Sequence, residues 1–269
     1  MSSRSRRTRV GRFPGFGTLA WLCMACLYVP IVILVVFSFN SNRAVTIWSG
    51  FSFDWYLRAT QNEGLQQAAV NSLIVAVIAT IVSTAMATGI ALATSRGRPF
   101  RGTTAVLAVV SMPMMIPEIV IAVGTLSFFV LAGIRLGLGN VIIAHCVFCI
   151  PFAYLPIRAR LEVMDARLDE AARDLYASPW NTFRLVTLPL LLPGILSGAM
   201  LAFIISLDDY IITAMVGGAG TSTLPVYVYT MLRLGVTPEI NAISTVLLAV
   251  SILFVSGSYF LGRKGKPTS

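Results

Sequence analysis

The sequence predicts an all-α integral membrane protein with six transmembrane helices. Three observations carry this reading. Of the 269 residues, 57% are hydrophobic and 12% charged, against about 45–50% and about 25% in an ordinary soluble domain. Apolar runs long enough to cross a hydrocarbon core of ~30 Å recur six times along the chain. The charged residues fall between these runs, and the basic ones concentrate in alternate gaps. With a mean hydropathy of +0.83, the chain is neither disordered nor built like a soluble enzyme. The net charge of +9 reflects membrane topology and not a groove for nucleic acid.

The six runs cover residues 18–39, 68–94, 104–131, 140–157, 189–213 and 241–261. They define a membrane domain over 18–261, between a basic N-terminal tail of residues 1–17 and a short tail of residues 262–269. The first run exceeds the usual apolar core of a signal peptide and lacks a clear cleavage site, so it reads as a helix. If the N-terminus is cytoplasmic, 16 of the 20 Lys and Arg residues lie on the inside and four on the outside. That bias places both termini in the cytoplasm.

The cysteines form two CxxC pairs, Cys23/Cys26 and Cys146/Cys149. The pairs are too far apart for a zinc ribbon and lie within apolar helices, so they read as small packing residues and no metal site is expected. The single His145 reads as a hydrogen-bonding link to a neighbouring helix. Pro113 and Pro117 interrupt the third run, and each removes a backbone donor. Such breaks survive in a membrane only inside protein or along a cavity. Residues 112–118 therefore have two readings, a pathway lining or a proline kink at a packing contact.

The longest inside segment covers residues 158–188. Leu161, Met164, Leu168, Ala171, Ala172 and Leu175 recur at helical spacing, and Ser178-Pro179 is expected to break the helix. Its mixed charges favour a protein partner over a lipid surface, which selects mainly basic helices.

Within this segment Glu170-Ala171-Ala172 is followed at a fixed distance by Leu188-Pro189. This resembles the EAA loop of ABC-importer permease subunits: Glu-Ala-Ala, three residues, Gly, nine residues, Ile, one residue, Leu-Pro. The spacing is kept in full, but Tyr176 occupies the Gly position and Val186 the Ile position. A left-handed turn suits Gly and costs other residues ~1–2 kcal/mol. Either the turn here is not left-handed, or residues 177–179 supply it. Residues 37–41 (FSFNS), 54–56 (DWY), 69–73 (AVNSL), 206–210 (SLDDY), 217–225 (GGAGTSTLP) and 235–242 (GVTPEINA) are similar to the spermidine/putrescine branch of these permeases.

The resemblance implies the type I importer permease fold with a cytoplasmic coupling helix, in a bacterial inner membrane. It implies a homologous permease partner, two ATP-binding subunits and an extracytoplasmic binding protein that delivers a polyamine. Glu170, Ala171, Ala172, Asp174, Tyr176 and Pro179 would then belong to the ATPase-coupling element. No GxxxxGK[ST] loop occurs in the chain, so ATP and Mg²⁺ are expected in the partner ATPase and no cofactor in this chain. The same fold importing another small organic solute is the alternative. An ion-coupled secondary transporter would show an inverted repeat, and a rhomboid-like protease a GxSG motif; neither feature is found in the sequence.

Glu118, Asp208 and Asp209 lie in or beside the apolar runs, where a charge costs at least ~2.5–3.5 kcal/mol and faces a cavity or a partner. Carboxylates beside an aromatic ring suit ammonium groups, which makes Glu118, Asp208, Asp209 and Tyr210 candidates for the substrate pathway. The aspartates, ~30 Å along the fifth helix from Pro189, equally suit a structural bond near the outer interface. Trp48, Trp55, Tyr56, Tyr227 and Tyr229 read as interfacial anchors, and residues 217–225 as a loop over the pathway exit or a plain connection.

Overall fold

The computed structural model describes residues 16–43, 47–96, 101–165, 167–235 and 238–263. Among these residues the structure is all-helical, and the one β-type contact is an isolated bridge between Asn40 and Phe51. Four helices are long and apolar enough to cross a membrane, and a fifth span arises if a bent pair is counted as one. The chain divides into two compact units, residues 1–59 with 236–250, and residues 60–235 with 251–269.

The first unit contains α1 (Phe16–Phe37) and most of α2 (Asp54–Gln61). Helix α1 is apolar around its whole circumference, and Cys23 and Cys26 on it are exposed. The connection from α1 to α2 is organised by the buried Asn40. Its side chain donates to the Ile47 carbonyl at 2.7 Å and accepts from the Ser49 amide at 3.1 Å. The indole N–H of Trp55 donates to the Asn40 carbonyl at 2.7 Å, and Trp55 is buried. Trp55 therefore holds the connection instead of serving as an interfacial anchor. Phe39, Phe51, Phe53 and Tyr56 form a ring cluster in the same connection.

The second unit is a three-helix core of α3 (Glu63–Ser95), α6 (Leu138–Val163) and α9 (Leu188–Asp208). Asn62 caps α3 by accepting from the Leu65 amide at 3.1 Å. The buried stripe of α3 is mostly Ala and Ser: Ala68, Ser72, Ala76, Ala79, Ser83, Ala87 and Ala91. Lipid gives no hydrophobic drive for helices to associate, so close backbone approach over small residues must supply the packing. Helix α9 does the same with Gly194, Gly198 and Ala202, spaced four apart. A Cβ on Gly198 would stand 2.6 Å from the Ala153 carbonyl oxygen on α6.

The third apolar run is α4 (Thr103–Met115) and α5 (Glu118–Leu131), which meet at a bend of 111°. The break lies at Ile116-Pro117, as the missing proline N–H requires, whereas Pro113 stays inside α4. The fourth run extends beyond the expected 157 to Val163. The segment after it is not one amphipathic helix. It comprises α7 (Arg167–Asp174), α8 (Pro179–Thr182) and a π-helical turn (Phe183–Thr187) that runs into α9. Of the expected apolar face, only Leu161 and Ala172 are buried; Leu168 and Leu175 are exposed. After α9 come α10 (Ile211–Val216), α11 (Leu224–Leu234) and α12 (Pro238–Arg263), the last of which lies partly in each unit.

The helix after Arg167 ends earlier than Ser178-Pro179. Tyr176 has φ +58°. Its N–H bonds the Arg173 carbonyl at 2.9 Å, and the Ala177 N–H bonds the Ala172 carbonyl at 3.1 Å. This double bond pattern is a Schellman cap, with Tyr176 in the left-handed position that Gly usually takes. The turn is thus left-handed at Tyr176 itself. Ser178 then caps α8, with Pro179 in its first turn.

Two outcomes follow from these contacts. Gly198→Ala forces α6 and α9 apart and should cost roughly 1–3 kcal/mol, read as a lower unfolding temperature in detergent; an unchanged temperature would show that the helices do not touch there. Tyr176→Gly relieves the left-handed strain and should stabilise the chain by roughly 0.5–1 kcal/mol after the entropy that Gly adds to the unfolded state. Destabilisation would mean that the Tyr side chain supports the turn.

Candidate functional site

Two polar constellations stand out in the second unit. The first lies where α9 ends. Backbone hydrogen bonding breaks at Asp209-Tyr210 and resumes in α10. Asp209 covers the break. Its Oδ1 accepts from the Thr213 amide at 3.0 Å and the Thr213 hydroxyl at 3.1 Å, and its Oδ2 faces the Ile212 amide at 3.5 Å.

His145 of α6 completes the arrangement. Its Nε2 lies 2.9 Å from Thr213 Oγ1 and 3.2 Å from Asp209 Oδ1, and its Nδ1 lies 2.8 Å from Ser206 Oγ. Since the Thr213 hydroxyl gives its proton to Asp209, Nε2 is the donor toward this pair, and Nδ1 shares a hydrogen bond with the Ser206 hydroxyl. His145, Ser206, Asp209 and Thr213 are all buried. The linking role expected for His145 is what the structure shows. The Cys149 thiol, about one turn beyond His145 on α6, donates to the Ala202 carbonyl at 3.6 Å.

Asp208 points elsewhere. It is exposed, while its neighbour Asp209 is 5% exposed. Glu118, in the first turn of α5, is half-buried and lies close enough to Asp209 and Asp208 to feel their charges. Carboxyl groups this close favour a proton or a cationic group between them. Glu118, Asp208 and Asp209 are therefore brought together, from two helix breaks far apart in sequence, into one cluster that favours positive charge.

Tyr210 adjoins the cluster in the chain and packs its ring against Tyr229 of α11, with centroids 4.5 Å apart. Arg233 lies 4.8 Å over the Tyr229 ring and donates to its hydroxyl at 3.1 Å. That bond raises the already high pKa of Arg233. One face of Tyr229 thus already holds a protein cation. Residues 217–225 are more than a plain connection: Asn71 donates to the Ser222 carbonyl at 3.0 Å, and the Leu224 amide donates to Ser72 Oγ at 2.7 Å. Tyr227 bonds Asn62 at 3.0 Å and so fixes α11 to the start of α3.

The second constellation is the segment of α7. Glu170, Ala171, Asp174, Tyr176 and Pro179 are exposed, and Ala172 is buried. Beneath them, Asp169 receives Arg96 at 3.0 Å and the Thr187 hydroxyl at 2.9 Å. Arg96 also donates to the Met164 carbonyl at 3.0 Å. Neither Asp169 nor Arg96 is legible as a site residue in the sequence, since 73 positions separate them. Ser206 and Thr213 were likewise missed; the only signal for them was a lone His in an apolar run that had to find a partner.

Comparison with known proteins gives consistent results. The family described as binding-protein-dependent transport system inner membrane component matches residues 85–263. The spermidine/putrescine transport system permease protein PotC of Haemophilus influenzae is 41% identical over 240 residues, 89% of this chain and 93% of that protein. The putrescine transport system permease protein PotI of Escherichia coli K12 is 35% identical over 247 residues, 89% of this chain and 88% of that protein. Among solved structures, a bacterial ABC transporter involved in alginate import superposes with a TM-score of 0.69 at 20% identity, covering 99% of this chain and 100% of that chain. The MetNI methionine ABC transporter gives 0.63 at 22% identity, covering 77% and 100%. The fold is the one carried by these importers.

The two aspartates should separate in a stability measurement. Asp209→Ala strips the His145 ring, the Thr213 amide and the Thr213 hydroxyl of their acceptor and should cost roughly 3 kcal/mol, whereas Asp208→Ala should stay within about 0.5 kcal/mol of the parent. Unfolding of the purified chain in detergent reads both. Equal losses would contradict the distinct environments of the two carboxylates.

Proposed function

Because the chain belongs to the family of binding-protein-dependent transport system inner membrane components, we propose that it is the transmembrane permease subunit of an ATP-driven importer of polyamines such as putrescine and spermidine. The observation that carries the substrate class is the similarity, over nine-tenths of the chain, to permeases named for spermidine and putrescine. The acidic cluster supports it, because it offers two or three carboxyl groups to a substrate with several ammonium groups, next in the chain to Tyr210.

In this reading the protein crosses the bacterial inner membrane six times, with α1, α3, the bent α4–α5 pair, α6, α9–α10 and α12 as spans. The excess of basic residues in alternate gaps sets both termini in the cytoplasm. The segment from α7 to the π-helical turn then lies inside the cell and serves as the coupling element. Its exposed Glu170 and Asp174 face a cleft of an ATP-hydrolysing subunit, and Tyr176 and Pro179 set its turn. A second, homologous permease completes the pathway, two ATPase subunits hold ATP and Mg²⁺, and an extracytoplasmic binding protein delivers the substrate. This chain contributes no catalytic residue. It converts closure of the ATPases into a change of access at the acidic cluster, because the ATP-bound partner favours one of two arrangements of the bundle.

Within the cluster the roles divide by burial. Asp209 is committed to the backbone of α10 and to His145, so it sets the position of the site. Asp208, exposed and adjacent, is the carboxylate free to meet an ammonium group. Glu118 meets the substrate from α5 across the break at Pro117.

The test is uptake of labelled putrescine and spermidine into proteoliposomes that hold this chain with its neighbouring permease, the ATPase and the binding protein. ATP-dependent uptake by the full set is the expected result. ATP hydrolysis without polyamine uptake would discard the substrate and leave another small organic solute. Uptake by this chain alone on an ion gradient would overturn the reading. Asp208→Asn should lower uptake about tenfold or more, the cost of one lost charge contact of ~1.4 kcal/mol or above, with assembly unchanged. Glu170→Lys should abolish uptake while the chain still inserts; normal uptake by that variant would remove the coupling role.

A further inference from the structure

The eight residues of α7 are too few to hold a helix in place by themselves. All but Ala172 are exposed or half-buried, so apolar packing contributes little. What fixes α7 is one carboxylate. Asp169 Oδ2 stands 3.0 Å from Arg96 Nη1, and Asp169 Oδ1 accepts from Thr187 Oγ1 at 2.9 Å. Arg96 is the residue that closes α3, its own N–H bonding the Leu92 carbonyl, and its second guanidinium nitrogen reaches the carbonyl of Met164, which closes α6. Thr187 is the last residue of the π-helical turn and the one before α9. The ends of α3, α6 and α9 therefore meet α7 at a single ion pair.

The pair is not a surface contact. The side chains of Arg96 and Asp169 are 16% and 20% exposed, so water screens them weakly, and each has a second polar partner that fixes its geometry. By contrast the Arg158–Glu162 pair on α6 is 41% and 58% exposed and lies within one helix, where it can transmit nothing between elements.

We propose that Arg96 and Asp169 are positioning residues that carry movement of α7 into α3, so that the three core helices move with it as one body. The inference rests on the importer reading for its consequence, but the link itself is a statement about this chain. The flanking spans α6 and α9 are joined to α7 by the backbone; among the described residues the end of α3 meets α7 through this ion pair, and otherwise follows it through its packing on α6 and α9. Without it, α7 remains docked on its partner through its exposed face, and ATP is still hydrolysed, while the end of α3 follows α7 only indirectly through its packing on α6 and α9, and the movement is transmitted less completely.

Two measurements test it. In the assembled transporter, Asp169→Asn and Arg96→Gln should each keep ATP hydrolysis within about twofold while polyamine uptake per ATP falls about tenfold, a coupling loss of the usual allosteric size. Asp169→Glu should retain most of the ratio, and Arg96→Asp combined with Asp169→Arg should restore part of it. An unchanged ratio in Asp169→Asn, or uptake and hydrolysis falling in parallel, would overturn the proposal. If the parent assembly itself shows no ATP-driven uptake, the importer reading fails instead.

The second measurement needs no transport: proteolysis of residues 158–188 in the full chain in detergent. Each single variant should be cleaved several-fold faster, and the Arg96→Gln/Asp169→Asn pair no faster than either, as interacting residues require. Multiplicative rates in the double variant would show that the two residues do not act together.

Discussion

A carboxylate inside a helix bundle in lipid has lost its water, and it is tolerable only if protein donors replace that water. Backbone groups obey the same rule: a helix that stops within the membrane strands N–H groups that nothing else can satisfy. At Asp209 the two requirements meet and solve each other. The break between α9 and α10 frees amides, the carboxylate needs donors, and Thr213 and His145 complete the set. The consequence reaches far. His145 ties α6 to this point through Ser206 on α9 and Thr213 on α10. Helix α10 in turn packs on α5, whose first residue, Glu118, returns to Asp209.

The all-helical class, the long apolar helices and the break at Pro117 were legible because they follow from local rules. Apolar runs of bilayer length read as spans, Pro117 cannot continue α4, and the Glu170-Ala171-Ala172 spacing is carried in the sequence itself. What was not legible depends on contacts between distant residues. Asp208 and Asp209 are chemically identical and adjacent, yet one is buried and the other exposed. Only the position of His145, 64 residues earlier in the numbering, decides between them. Trp55 looked like an interfacial ring until the Asn40 carbonyl claimed its N–H. Tyr176 is the reverse case. The motif spacing marked the turn, but residue preference argued against a left-handed Tyr, and the cap geometry of α7 prevailed.

The two constellations share one design. Each places a carboxylate where a helix ends, and each uses that carboxylate to join elements that the backbone does not join directly. At the α9–α10 break the carboxylate is enclosed, and the result is rigid. At α7 the carboxylate is partly open, and its partner is an Arg at the end of a long helix. A charge-assisted pair of that kind holds geometry while an outer face remains free for a partner. The exposed row Glu170, Asp174 and Tyr176 is therefore separate from the residue that fixes it, and a partner can press on the first without competing for the second.

The sign of the charge at the acidic cluster also follows from the fold. Helix α5 begins at the break, and a helix start carries partial positive charge that attracts anions. Left with neutral side chains, a cavity at such a break would select an anionic substrate. Glu118 in the first turn of α5 reverses this, Asp209 satisfies the start of α10 from its own chain, and Asp208 adds a further acid that no amide requires. If the breaks line a pathway, as proposed above, they create a bias against cations, and the acids are needed first to cancel it and then to exceed it. On the importer reading proposed above, only the surplus is available to a substrate, and that reading assigns it to Asp208 and Glu118. A polyamine, with ammonium groups spaced along a flexible chain, is the class of solute that can use separated carboxylates of this kind.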